Sequence, residues 1–100
     1  FPKMHEPAEY QYETEYKVRK ADIDVNNHMH NLNYVDLANE ALPEDVYKKA
    51  QLNNLRITYK KEIKLGETVK CKYSFADGKH FVVVKSQDDK SIHALIELSE

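Results

Sequence analysis

The segment DIDVNNHMHN, residues 22–31, holds two carboxylates, three asparagines and two histidines. Asp24, Asn26 and His28 follow at every second position, so an extended backbone would place all three side chains on one side. An imidazole exchanges protons near neutral pH, an amide can hold a water molecule or a carbonyl oxygen, and a carboxylate can orient either of them. This combination is typical of a hydrolytic site.

Two other interpretations of the segment stay open on spacing alone. Asn26 or Asn27 could cap a helix, because an asparagine side chain accepts a hydrogen bond from the free N–H groups of a first helical turn. Asp24, His28 and His30 could bind a metal, although no second pair of ligands at a metal-binding spacing completes such a set. The sequence has neither a glycine-rich phosphate loop nor a serine or cysteine nucleophile motif.

The elements that must hold these residues follow from hydrophobic periodicity. Residues Tyr10 to Arg19 alternate between aromatic or β-branched and polar side chains, which predicts a strand that ends just before the segment. From Met29 to Leu42, apolar residues recur at intervals of three and four, which predicts an amphipathic helix. Pro43 ends this helix, and PEDVYKKA predicts a second, short one. The segment therefore lies at the N-terminus of the main helix, where free N–H groups can stabilise an oxyanion.

The remainder of the chain is predicted to form four strands. Alternating or β-branched residues fill these strands, and LGET, ADGK and QDDK supply the turns between them. Because short turns join antiparallel neighbours, we expect each of these strands to pair with the next. The prediction is an α+β domain with the hot-dog fold, in which an antiparallel β-sheet wraps around a long central α-helix.

Length, charge and cysteine content limit the class of protein. The chain has 100 residues and a net charge of −2, which predicts one globular domain and gives no support for nucleic-acid binding. No apolar stretch approaches the roughly 20 residues that cross a bilayer, and no signal peptide is recognisable. Residues 1–9 are predicted to be a linker-like lead-in, and residues 10–100 a single domain. The one cysteine, Cys71, is predicted to be a core thiol in a reducing compartment.

Two blocks of the sequence resemble the acyl-acyl-carrier-protein (acyl-ACP) thioesterases of bacteria and plants. That family carries a pattern close to DxDVNxHVNNxxY, and the matching residues here are Asp22, Asp24, Val25, Asn26, His28, Asn31 and Tyr34. A second family block is a tyrosine, two basic residues and a glutamate, which here are Tyr59, Lys60, Lys61 and Glu62. The resemblance extends from about Val18 to the end of the chain.

The resemblance implies a thioester hydrolase that releases fatty acid from acyl-ACP, with Asp24, Asn26, His28 and Glu62 as its catalytic set and no metal or cofactor. Glu62 and His28 would activate a water molecule that attacks the thioester carbonyl. Asn26 and backbone N–H groups would hold the oxyanion, and Asp24 would orient Asn26 or His28. A covalent acyl-carboxylate intermediate is the competing route. In this family the catalytic residues lie in the second of two hot-dog domains.

Three features of the sequence qualify the match. Plant members often have cysteine directly after the strand glutamate, but Ile63 stands there, which excludes a cysteine mechanism at that place. His30 stands where the family often has asparagine. Strand alternation alone puts Glu62 on the polar face with Thr58 and Lys60, where it would be an exposed strand carboxylate.

The expected partner is acyl carrier protein, whose acidity predicts a basic docking patch; the candidates are Lys17, Arg19, Lys20, Lys60 and Lys61. An upstream hot-dog domain of the same polypeptide is expected to cover the apolar surface, or a second copy in a homodimer when the fragment is isolated. The short loops favour a bacterial, cytoplasmic protein. Two alternatives are a stand-alone hot-dog acyl-CoA thioesterase and a non-catalytic acyl-binding or assembly module.

Overall fold

A computed structural model describes residues 7, 9–23, 29, 31–49, 54–76 and 78–99, with the backbone alone for residues 31, 32 and 49. Its elements follow the predicted order of strand, helix, short helix and four strands. They are β1 (Tyr12–Lys17), a 3₁₀ turn (Lys20–Asp22), α1 (Asn31–Ala41), α2 (Glu44–Lys49), β2 (Asn54–Tyr59), β3 (Thr68–Ala76), β4 (Lys79–Ser86) and β5 (Ile92–Ser99).

The five strands form one antiparallel sheet in the order β1-β3-β4-β5-β2. The expectation that each strand after the helices pairs with the next is correct for β3 to β5 but wrong for β2. That strand pairs with β5, so the connection of residues 60–67 crosses from one edge of the sheet towards the other. The segment is long enough to make this crossing, because an extended residue spans about 3.3 Å.

One face of the sheet packs against α1 and forms the core. The helix contributes Leu37 and Ala38, which are at most 1% exposed, and the facing strand residues include Cys71, Val84 and Ile96. Each fully buried aliphatic side chain of this kind stabilises the fold by about 1.5–3 kcal/mol. The predicted core position of Cys71 is therefore confirmed.

Three apolar residues illustrate where the structure differs from the periodicity. Met29 was predicted to begin the helix, but it forms an isolated bridge with Ile23, and α1 starts at Asn31. Tyr10 precedes β1 and packs against a smaller cluster that holds Val83 and Leu95 instead of lying with the core residues of β1. Phe75 is 51% exposed and packs against His80, with the ring centroids 4.8 Å apart.

The helices are short. The longest in the described part of the chain, α1, has 11 residues, which is fewer than the span from Met29 to Leu42 that the periodicity predicts. No helix among the described residues has the length and apolar composition needed to span a bilayer.

Candidate active site

Most of the predicted chemistry falls in a segment whose two flanks are described. The candidate site residues that lie outside the described part of the chain are Asp24, Asn26, Asn27, His28 and His30. The predicted helix cap and the alternative metal site lie outside it for the same reason. On either side of residues 24–28, Ile23 and Met29 form an antiparallel bridge, so the two ends of this segment lie next to each other.

Asp22 holds the chain in place just before this segment through hydrogen bonds to its carboxylate. Its carboxylate is fully buried and accepts hydrogen bonds from the Tyr16 hydroxyl at 2.7 Å and from the Arg19 backbone N–H at 2.8 Å. The guanidinium Nη2 of Arg19 donates a further bond at 3.1 Å, and the side-chain amide of Asn33 donates another. Because Tyr16 lies on β1 and Asn33 on α1, this carboxylate joins a strand and a helix at the entrance to the segment.

Asp22 stays ionised in this setting. Burial by itself raises the pKa of the carboxyl, but hydrogen bonds from the Arg19 side chain and backbone and from Tyr16 outweigh it and lower the pKa to about 2. The same contacts act on the phenol: burial and then the neighbouring carboxylate raise the pKa of Tyr16. The sequence motif includes Asp22 but does not indicate its partners, because Tyr16 and Asn33 come from β1 and α1.

Glu62, the fourth predicted catalytic residue, lines a cavity of about 300 Å³. The other lining residues are Met29, Tyr34, Tyr59, Lys60, Lys61 and Ile63. The Glu62 side chain is 43% exposed, and its Oε1 lies 3.6 Å from the Nζ of Lys64. The partly solvated carboxylate of Glu62 therefore lines the same cavity as Met29, the residue that directly follows His28 in the sequence.

The cavity lies where β2 leaves the sheet. Strand β2 ends at Tyr59, and the N–H groups of both Lys60 and Lys61 then donate to the same carbonyl oxygen, that of His93, at 2.8 and 3.2 Å. Two residues thus lie opposite one, as in a β-bulge, and the regular strand ends there. Glu62 is exposed and Ile63 is buried in the core, as the alternation predicted for both, and the two residues border the cavity from a segment that is no longer a regular strand.

Two tyrosines form the aromatic wall of the cavity. Tyr34 on α1 meets Tyr59 at the end of β2 edge to face, with ring centroids 5.1 Å apart. Burial raises the pKa of Tyr34, and the nearby Tyr59, Glu62 and Glu67 raise it further, so its phenol stays neutral. Both tyrosines belong to the family blocks found in the sequence, which assign them no role. Their shared cavity depends on the packing of α1 beside the end of β2.

The other reactive groups in the described chain are placed less favourably for chemistry. No three His, Cys, Asp or Glu residues among those described lie close enough to hold a metal ion. Burial raises the pKa of the Cys71 thiol to about 12, so it is not a nucleophile near neutral pH. A second cavity, of about 660 Å³, also has Lys61 in its lining. Its other lining residues are mainly polar and include Glu67, Asp88 and His93.

The five basic residues proposed as a docking patch are all exposed. Arg19 uses part of its guanidinium to bind Asp22, although its side chain is still 67% exposed. Exposure fits a docking role and also fits an ordinary solvated surface.

Known proteins resemble this chain both in sequence and in fold. It is 29% identical over 68 residues to the oleoyl-acyl carrier protein thioesterase 1, chloroplastic, of Arabidopsis thaliana, an alignment that takes in 68% of this chain and 18% of the relative. The 12:0-ACP thioesterase from Umbellularia californica superposes with a TM-score of 0.87 at 18% identity, covering 99% of this chain and 39% of that one. The chain thus spans much less than the full length of either.

A third similarity is to a smaller protein. A hypothetical protein from Staphylococcus aureus, solved in complex with CoA, superposes with a TM-score of 0.76 at 21% identity, covering 89% of this chain and 74% of that one. At such identities these structures establish the fold alone. They are hot-dog neighbours, which confirms the predicted fold class to the level of an antiparallel five-stranded sheet with few helices.

The sequence comparison with protein families is more specific than these superpositions. Residues 5–99 match the family described as Acyl-ACP thioesterase C-terminal domain. Both blocks that carry the resemblance in the sequence, the motif that begins at Asp22 and the one that ends at Glu62, fall within this match. Since the match takes in nearly the whole chain, the chain belongs to the acyl-ACP thioesterase family, as a C-terminal domain.

Proposed function

We propose that this chain is the catalytic domain of a hydrolase that releases free fatty acid from acyl-ACP. The observation that carries the proposal is the position of Glu62 in a cavity that Met29, the neighbour of His28, also lines. Family membership supplies the substrate class, and both Arabidopsis and Umbellularia relatives are named as acyl-carrier-protein thioesterases.

In the proposed reaction, water is the nucleophile. Glu62 and His28 take a proton from water as its oxygen attacks the thioester carbonyl carbon. Asn26 and backbone N–H groups stabilise the oxyanion, and Asp24 orients Asn26 or His28. The carbon–sulfur bond then breaks, and the thiol of the carrier leaves with the proton while the fatty acid is released. In the competing route a carboxylate attacks first and forms an acyl intermediate that water hydrolyses.

Acyl carrier protein is the proposed partner, docking on the exposed basic residues Lys17, Arg19, Lys20, Lys60 and Lys61. Lys60 and Lys61 line the cavity that holds Glu62, so a carrier bound there would deliver its thioester close to that carboxylate. An acidic partner would gain mainly in association rate from such a patch, and the gain would weaken as salt is added.

We infer that the domain pairs with a second hot-dog domain, with α1 as the central helix of its own half. Strand β2 is an edge of the sheet, with β5 on its one described side. Leu55 and Tyr59 on this strand are 43% and 50% exposed. An upstream domain of the same polypeptide would cover this edge, and the isolated fragment would form a homodimer instead. A bacterial cytoplasmic location stays a prediction, supported by the free, buried Cys71.

A stand-alone acyl-CoA thioesterase is the second candidate. It is favoured by the Staphylococcus aureus neighbour, which was solved with CoA and of which this chain covers 74%. This candidate predicts hydrolysis of acyl-CoA at least as fast as that of acyl-ACP.

The deciding experiment compares hydrolysis of acyl-ACP and acyl-CoA by the full-length gene product and by its His28→Ala and Glu62→Gln variants. We expect acyl-ACP to be cleaved and each substitution to lower kcat by about a hundredfold or more, because each removes a proton-transfer group. Glu40→Gln is the matched control, since it neutralises an exposed carboxylate of α1 that does not line this cavity.

Unchanged kcat in both variants would overturn the proposed chemistry. Bound but uncleaved acyl groups in the wild type would favour the non-catalytic acyl-binding module, for which Glu62→Gln has no effect.

A further inference from the structure

His93 is the one buried histidine in the described part of the chain, and it contacts the residues that lead to Glu62. It lies on β5 with 2% of its surface exposed. Its backbone carbonyl accepts the N–H groups of Lys60 at 2.8 Å and Lys61 at 3.2 Å. These two bonds fix the point at which β2 leaves the sheet, directly before Glu62.

The imidazole of His93 holds the next group along the same stretch of backbone. Its Nδ1 lies 3.2 Å from the carbonyl oxygen of Lys61. A carbonyl oxygen only accepts hydrogen bonds, so Nδ1 carries the proton and donates it. This carbonyl belongs to the peptide bond between Lys61 and Glu62. Because a peptide unit is planar and includes the next Cα, holding the carbonyl also holds the Cα of Glu62, from which its side chain extends.

The other ring nitrogen has a weaker contact. Nε2 of His93 lies 3.7 Å from Oε2 of Glu67, beyond ordinary hydrogen-bond length. The side chain of Glu67 is 38% exposed, whereas that of His93 is 3% exposed. The bond from Nδ1 is thus the specific contact of the ring, and the approach to Glu67 is secondary.

We propose that His93 is a positioning residue that aims the Glu62 carboxylate into the cavity by holding the Lys61–Glu62 peptide bond. The inference rests on the proposed function of Glu62. The connection 60–67 belongs to neither β2 nor β3, and the bonds to His93 hold it at Lys60 and Lys61, the two residues directly before Glu62. A general base displaced by about 1 Å can lose about a hundredfold in rate, which makes such a hold consequential.

The test uses three substitutions that separate the two ring nitrogens. In His93→Asn the amide nitrogen occupies the place of Nδ1 and can still donate to Lys61. In His93→Gln the amide nitrogen occupies the place of Nε2, near Glu67, and the donor to Lys61 is lost. His93→Leu removes both donors and keeps an apolar side chain of similar size in the buried site.

We expect kcat for acyl-ACP in the full-length gene product to fall about ten- to a hundredfold in His93→Leu and His93→Gln, with KM changed less than twofold. His93→Asn should retain kcat within about threefold of the wild type. Ser74→Ala is the matched control, because Ser74 is also a buried polar strand residue and lies on β3, which β4 and β5 separate from β2.

Each possible outcome either supports or overturns the positioning role of His93. Rescue by glutamine and not asparagine, or equal loss in all three variants, overturns the proposal in favour of the Glu67 contact or of simple packing. A thermal midpoint that falls equally in His93→Asn and His93→Leu, while only the asparagine variant keeps kcat, supports positioning over stability. Glu62→Gln is assayed in parallel. If Glu62→Gln retains activity, the proposed function is wrong. If Glu62→Gln is inactive and His93→Leu has normal kcat, only the proposed role of His93 is wrong.

Discussion

At the scale of single residues, the buried carboxylate of Asp22 connects the site to the rest of the fold. Its pKa is lowered from 3.8 to about 2 because, despite burial, Arg19 and Tyr16 donate hydrogen bonds to the charged form. A carboxyl whose folded pKa lies below its unfolded pKa stabilises the fold above the unfolded value. That stabilisation is lost as pH falls through the folded pKa.

The first prediction concerns Asp22→Asn. The pKa change from 3.8 to about 2 corresponds to about 2 kcal/mol of stabilisation, present above about pH 5 and lost towards about pH 2. We expect the variant to have a free energy of unfolding lower by about that amount near neutral pH, and a shallower decline between about pH 5 and about pH 2. Denaturant unfolding across this range measures both. Asp36→Asn, at an exposed position on α1, is the control; a variant slope equal to that of the wild type would contradict the assignment.

Cys71 provides the second prediction at this scale. With its pKa raised by burial to about 12, about one thiol in ten thousand is ionised near pH 8. We expect the folded protein to resist a thiol-specific disulfide reagent and the denatured protein to react at once with one equivalent. Rapid labelling under native conditions would show that the thiol is not held in the core.

At the scale of elements, the connections decide which side chains reach the cavity. Strand β2 ends in a bulge-like pairing against His93, and Glu62 follows directly in the connection that borders the cavity. The β3–β4 connection is simpler, because Gly78 adopts a φ of +74° within the hairpin that ADGK predicted. Nothing lies within 4 Å of a Cβ added there, so only the backbone conformation opposes a larger residue.

The third prediction follows from that hairpin. Gly78→Ala should lower the free energy of unfolding by about 1 kcal/mol, because alanine disfavours positive φ. Gly78→Asn should lower it less, since asparagine tolerates the left-handed region better than alanine does. Chemical denaturation of the two variants beside the wild type checks the order. Equal losses would point to a cause other than backbone conformation.

At the scale of the whole molecule, the sheet has one face covered by α1 and one edge formed by β2. That edge carries Leu55, 43% exposed, which suits the pairing with another hot-dog domain proposed above. An edge strand with exposed apolar residues invites a further strand, and a charge on it opposes such pairing.

The fourth prediction therefore replaces Leu55 by lysine in the isolated chain. The unsubstituted chain should elute as a homodimer in size-exclusion chromatography with light scattering, and Leu55→Lys should shift it towards monomer by at least tenfold in dissociation constant. Leu65→Lys is the control, because Leu65 is 46% exposed but lies outside the edge strand. A monomeric wild type, or an equal shift in both variants, would contradict pairing through β2.

The order of elements, an antiparallel sheet with few helices, and the family could all be predicted from the sequence, whereas the long central helix could not. Periods of two and of three to four residues reflect which side of a strand or helix is buried, and these local patterns survive in a single chain. The blocks around Asp22 and Glu62 were sufficient to indicate the family that residues 5–99 match. The catalytic roles of Asp24, Asn26, His28 and Glu62 stay proposals.

Which strands are neighbours, and which residues share the cavity with Glu62, depends on the tertiary structure. Pairing of β2 with β5 joins residues far apart in sequence, and no local pattern encodes that choice. The bulge-like turn before Glu62 depends on a carbonyl supplied by His93 on another strand, and the burial of Asp22 depends on donors from β1 and α1. Contacts between elements that are distant in sequence leave no trace in the periodicity of either element, because periodicity reports only which side of each element is buried.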